Sequence, residues 1–142
     1  MKFFHFLLIF ISINCSGQQI VNNICNSTQI KYDSSIKVFL KGKEKVYELE
    51  NKFFQQDFEL TSKDDSVEII SFRITIDSKE LIATRPNEGK KVNPDYIVDG
   101  VNKGDSYSLR FLANGSYVYF DNIVVKKGDA CFKASPLAFK IK

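Results

Sequence analysis

Hydrophobic and polar positions alternate along most of this chain with the two-residue period of β-strands. The clearest case is "VEIISFRITID". Ile70, Phe72, Ile74 and Ile76 fall on one side, and Ser71, Arg73, Thr75 and Asp77 on the other. β-Branched and aromatic residues fill the apolar positions, which suits a pleated, half-buried surface. In "SIKVFLKG", Ile36, Val38 and Leu40 share a face while Lys37, Phe39 and Lys41 take the opposite one. The following "GKEK" reads as a turn into "KVYELE", so a hairpin is predicted there.

"RPNEGKKVNPDY" breaks the pattern. Pro86 and Pro94 cannot donate to a ladder, which makes this stretch a loop or a sheet edge. Turn signals recur at "NKGDS" (102–106) and "ANGS" (113–116). Between them "YSLRFL" fits a short strand or a single helical turn equally well.

The C-terminal stretch "YVYFDNIVVKKGDACFKASPLAFKIK" contains two more strands. Tyr119, Ile123 and Val125 share one face of the first, interrupted by Asp121. Val118, Phe120 and Val124 share the other, interrupted by Asn122. Both faces are largely apolar, as in an inner strand covered on both sides. In the last strand Leu137, Phe139 and Ile141 point one way, and Lys140 and Lys142 the other. Short strands, regular turns and the absence of an amphipathic helix predict an all-β fold, an antiparallel β-sandwich.

The N-terminus follows a different rule. Lys2 precedes an almost purely apolar run, Phe3 to Ile13, too short to span a bilayer as a helix. Cys15-Ser16-Gly17 then supplies small residues, the layout of a secretory signal peptide over residues 1–17 with the cut after Gly17. Cys15 also fits the acylated cysteine of a lipoprotein signal, and both routes stay open. The expected domain is 18–142, long enough to bury about two-thirds of its unfolded surface.

Composition then narrows the function. Without the leader the chain carries a net charge of +2, with 19 basic and 17 acidic side chains and no basic block. Nucleic acid is therefore not an expected partner, because neutralising phosphates needs clustered Lys and Arg. A membrane partner is expected only through a lipid on Cys15. The single histidine, His5, lies in the leader, so the exported part has no imidazole as proton shuttle or zinc ligand. No serine sits in a Gly-x-Ser-x-Gly elbow, and no phosphate-loop or calcium-loop spacing occurs. Asp64-Asp65 reads as a solvated turn, and Glu48 and Glu50 as one exposed strand face. The expectation is a non-enzyme with no cofactor and no metal.

Two cysteines remain after export, Cys25 and Cys131. An even pair in an oxidising compartment reads as a disulfide. Closing a loop of about 100 residues is worth up to ~4–5 kcal/mol on chain-entropy grounds. Tyr96, Tyr107, Tyr117 and Tyr119 fit either an exposed aromatic patch or residues packed on the sheet.

Certain stretches resemble a known family. Ser71-Phe72 in an apolar strand is followed by Gly115, by Val118 to Ile123, by the Gly128-Asp129 turn and by the terminal Phe139-Lys140-Ile141. Together these resemble the C-terminal domain of the gliding-motility protein GldM, over roughly Phe53 to Lys142. The resemblance implies an immunoglobulin-like sandwich in the periplasm of a Bacteroidota-type bacterium. Members belong to the motor of gliding and type IX secretion, where the domain reaches toward outer-membrane-associated partners. The sequence lacks the family's transmembrane helix and preceding periplasmic domains, so the expectation is a stand-alone terminal module.

The functional expectation is a non-catalytic exported domain that binds a protein partner in the periplasm, at the outer membrane or outside the cell. Its predicted contact surfaces are sheet edges and the loops at Thr84 to Asp95 and Asn102 to Ser106, with Arg85, Tyr96 and Tyr107 as candidate residues. The alternative is a carbohydrate or cell-wall binding module, which needs exposed aromatics.

Overall fold

The computed structural model describes residues 24–25, 30–44, 46–78, 82–93, 95, 97–99 and 106–142. Residues 1–17, Cys15 among them, and Tyr96 lie outside the described residues. The strands are β1 (Lys31–Tyr32), β2 (Val38–Leu40), β3 (Glu48–Leu49), β4 (Phe58–Ser62), β5 (Val67–Asp77), β6 (Ile82–Glu88), β7 (Lys91–Val92), β8 (Ile97–Asp99), β9 (Ser106–Ser108), β10 (Tyr117–Lys127), β11 (Ala130–Lys133) and β12 (Leu137–Ile141). Two 3-10 turns, Asn51–Gln55 and Leu109–Phe111, interrupt them. "YSLRFL" thus becomes both of its options in succession, β9 and then a helical turn.

β10 organises the larger sheet. One edge pairs with β5 along its whole length. The other is shared: β12 pairs with Tyr117–Phe120, and β11 pairs with Val124–Lys127. β6 extends the sheet beyond β5. The smaller sheet runs β2-β4-β7, and β8 and β9 form a separate ribbon. The two sheets make the predicted all-β sandwich. Its pairing is antiparallel except at two short edges, where β3 runs parallel to β12 and β1 parallel to β11.

The core lies between the sheets. Val38, Leu40, Phe58, Leu60 and Val92 come from the smaller one; Phe72, Ile74, Val118, Phe120, Phe139 and Ile141 come from the larger. Phe120 is its hub, with ring centroids 5.8 Å from Phe72 and 6.0 Å from both Phe58 and Phe139. Edge-on aromatic pairs of this kind add to plain area burial.

Three expectations change. The hairpin predicted across "GKEK" does not form. β2 pairs antiparallel with β4, and β3 crosses to the other sheet to lie beside β12. The turn residues are present, with Gly42 at φ 75° and the Lys43 amide donating to the Leu40 carbonyl at 2.8 Å. The turn redirects the chain between layers instead of folding it back.

Second, the faces of β10 and β5 are redistributed. Asp121 stands across from Arg73, Val124 from Ser71, and Val125 from Ile69. β10 therefore carries one extra residue near Asn122, whose φ is 48°, and β5 carries one at Ile70. The two bulges cancel in register, but each flips the alternation locally. Val118, Phe120, Ile123 and Val125 all reach the core, whereas Val124 joins Ile70 and Cys25 in a separate apolar cluster. Simple alternation had grouped Ile123 with Tyr119, and Ile70 with Phe72.

Third, of the loop or sheet edge expected around Pro86, the edge forms: the contact loop expected from Thr84 is strand as far as Glu88. β6 is an edge strand, which explains why it tolerates Pro86. Asn87 is buried, and its amide donates to the carbonyls of Glu88, Gly89 and Lys91 at 3.2–3.3 Å, fixing the turn into β7.

Candidate functional site: an open seam between the two sheets

Cys25 and Cys131 form the expected disulfide, with Cα atoms 5.8 Å apart. It fastens Cys25 to β11, where Cys25 packs on Ile70 and Val124. Tyr32 adds a hydroxyl hydrogen bond to Ser135 at 2.8 Å. These contacts hold Cys25 and β1 against the larger sheet.

The crossover from β2 to β3 leaves the sandwich open on one side. β3 covers only the end of β12, pairing with Lys140 and Ile141. The earlier part of β12 borders a groove of about 410 Å³ whose opposite wall is β2. Phe39, Val46, Tyr47 and Leu137 supply apolar lining, and Lys37, Lys43 and Lys63 outnumber the one acid, Glu44. Tyr47 is 81% exposed, among the most exposed large apolar side chains described. This seam was missed in the sequence because β2 and β3 read as partners of each other.

Below it, at the turn, a second groove of about 770 Å³ is lined by Lys41, Lys43, Lys52 and Lys142 with Glu48 and Glu50. Its charges are met internally. Lys41 bonds Glu59 at 2.6 Å, Lys142 lies 3.4 Å from Glu48, and Lys52 pairs with Glu50. Lys43 sits 5.7 Å above the Phe53 ring. Hydrogen bonds from these lysines hold the carboxyls of Glu59 and Glu50 below their ordinary values.

The outer face of the larger sheet carries a third feature. Tyr117 and Tyr119 stack at 6.1 Å with planes 20° apart. Beside them Arg73 binds Asp121 at 2.6 Å, and Thr75 bonds Thr84 and Asp121 at 3.2 and 3.3 Å. Tyr117 is 41% exposed, so this pair lies on the sheet surface and is not a lid on the core.

Of the candidate residues within the described part, Arg85 and Tyr107 stand on β6 and β9, and β8, the partner of β9, packs against β6. Arg85 is on β6, at the far edge of the larger sheet from the seam. It stands opposite Ile74, on the inward face of that edge, yet it is exposed. A charge turned inward on an edge strand discourages further strand pairing. Tyr107 lies on β9 opposite Val98, in the separate ribbon. Asp64 sits in its expected exposed turn, accepting from the Ser66 amide at 3.0 Å and binding Lys127 at 2.8 Å. Its carboxyl is pulled down to about 2, chiefly by the Lys127 hydrogen bond and then by Ser66. Among the described residues no three His, Cys, Asp or Glu side chains converge to hold a metal. The chain matches no family model, no curated protein and no solved structure.

Proposed function

We propose that the chain is a non-catalytic, exported protein-interaction domain of the cell envelope, tied to gliding motility or type IX secretion through its resemblance to the GldM C-terminal domain. The observation that supports this reading is the seam: a rigid sandwich with an apolar groove along a sheet edge and an exposed Tyr47 at its rim. Exposed aromatics beside an unfilled groove are the usual anchors of protein recognition. The disulfide suits an oxidising compartment. The test is capture from solubilised envelope by immobilised residues 18–142. A partner retained by the wild type and by Tyr32→Ala, and lost with Tyr47→Ala, supports the role. No seam-dependent partner overturns it.

The stacked Tyr117 and Tyr119, flanked by Thr75, Thr84 and Asp121, favour carbohydrate or cell-wall binding as a second reading. Sugar rings stack on such faces while hydroxyls and carboxylates fix their orientation. Retention on insoluble cell-wall material that disappears in Tyr117→Ala/Tyr119→Ala would make this the primary role. Unchanged retention would remove it.

A further inference from the structure

We infer that the seam takes an extended, acidic segment of a partner protein, added as a strand between β2 and β12; this rests on the interaction role proposed above.

The backbone is the first ground. Alternate residues of a strand turn their N–H and C=O groups to opposite sides. The Lys41 amide donates to the Glu59 carbonyl at 3.0 Å, so Phe39 also faces β4 and Val38 faces away from it. The amides of Lys140 and Lys142 donate to Tyr47 and Leu49 at 2.9 and 3.0 Å. Ala138, two residues before Lys140, therefore turns to that same side, ahead of the start of β3. Both edges bordering the groove thus offer backbone groups with no strand beside them among the described residues. An added strand satisfies such groups and takes its specificity from alternate side chains. The edge at Pro136–Phe139 accommodates about four residues at ~3.3 Å each.

Charge selects the occupant. Lys37 and Lys63 lie just beyond the last ladder pair, Val38–Ser62, and line the groove together. Like charges on neighbouring strands repel. Neither lysine has an ion pair among the described residues, unlike Lys41 at the other end of β2. A segment with carboxylates at alternate positions relieves that repulsion. A second copy of this chain, docking edge to edge, would bring the same lysines together and add to it.

Two acetylated, fluorescein-labelled hexapeptides, alternating Val-Glu and alternating Val-Lys, test the inference by anisotropy with residues 18–142 at low salt. The acidic peptide binds at least tenfold tighter. N-methylating its alternate amides costs at least tenfold, and Lys37→Glu/Lys63→Glu reverses the preference between the peptides. Amide exchange at Ala138 slows when the acidic peptide is bound. Both lysines are exposed, and Lys63→Gln alone, a milder change, weakens the acidic peptide severalfold. Equal affinities, a preference that survives charge reversal, unchanged exchange at Ala138, or a concentration-dependent dimer blocking the peptide would each overturn strand addition. Seam-dependent capture of an envelope partner alongside such a failure leaves the interaction role standing; loss of both removes it.

Discussion

Asn122 on β10 and Ile70 on β5 offset each other: each sits where its own strand carries one residue too many, and together they restore the register that either alone would break. The first bulge returns Ile123 and Val125 to the core after the polar Asp121-Asn122 step. The second turns Ile70 outward, where it meets Val124 and Cys25. The disulfide is therefore anchored on a patch of apolar surface that exists only because of the bulges.

Asn122 is the residue that makes the first bulge affordable. A left-handed backbone costs an ordinary L-residue about 1–2 kcal/mol, and Asn and Gly tolerate it best. Asn122→Gly should leave the urea midpoint nearly unchanged. Asn122→Ala should lower stability by about 1 kcal/mol, and Asn122→Val by more, since β-branched residues fit this region worst. Equal stability of all three would show that the position carries no such strain.

The disulfide closes a sequence separation of 106 residues. Replacing both cysteines by alanine should lower the unfolding free energy by about 2–5 kcal/mol. Urea denaturation with and without reductant measures this. Wild type under reductant should match the double variant. No change would mean that packing on Ile70 and Val124 holds residue 25 without the covalent bond.

Asp64 gives a pH dependence of definite sign. Its folded carboxyl, at about 2, lies below the ordinary 3.8, so its contribution is complete above the unfolded value and is lost as pH falls toward 2. The partner Lys127 is raised by the same bond, and its contribution fades only as pH climbs past its ordinary 10.5. Asp64→Asn should thus unfold earlier than wild type at pH 6, with the difference closing between about pH 4 and pH 2. High salt should shrink the difference at every pH, because both groups are exposed.

The strands with a steady period were legible from the residues alone. Ile74 and Ile76, Leu137, Phe139 and Ile141, and Ile36, Val38 and Leu40 fall on the faces that alternation assigns them. The disulfide was legible too, from the cysteine count together with the expected export. What alternation cannot encode is a change of phase. At Asn122 and Ile70 the side-chain types continue plausibly through the bulge, so the flip is invisible until the partner strand is placed. Turn chemistry has the same limit. Gly42 and its neighbours specify a reversal of direction, yet whether the chain returns to β2 or crosses to β12 depends on what the next strand buries: Leu49 pairs with Ile141 and enters the core. The seam follows from that crossover, which is why Val46 and Tyr47 gave no earlier sign of a site.

The most direct test of the interaction role is site-specific photo-crosslinking in intact envelope. A photoreactive phenylalanine analogue is placed at Tyr47 in one sample and at Phe111 in another. Phe111 is 83% exposed and does not line the seam. A discrete crosslinked partner is expected from position 47 and none from position 111, with the adduct suppressed by Lys37→Glu/Lys63→Glu. Equal crosslinking from both positions, or none from position 47, would contradict that role.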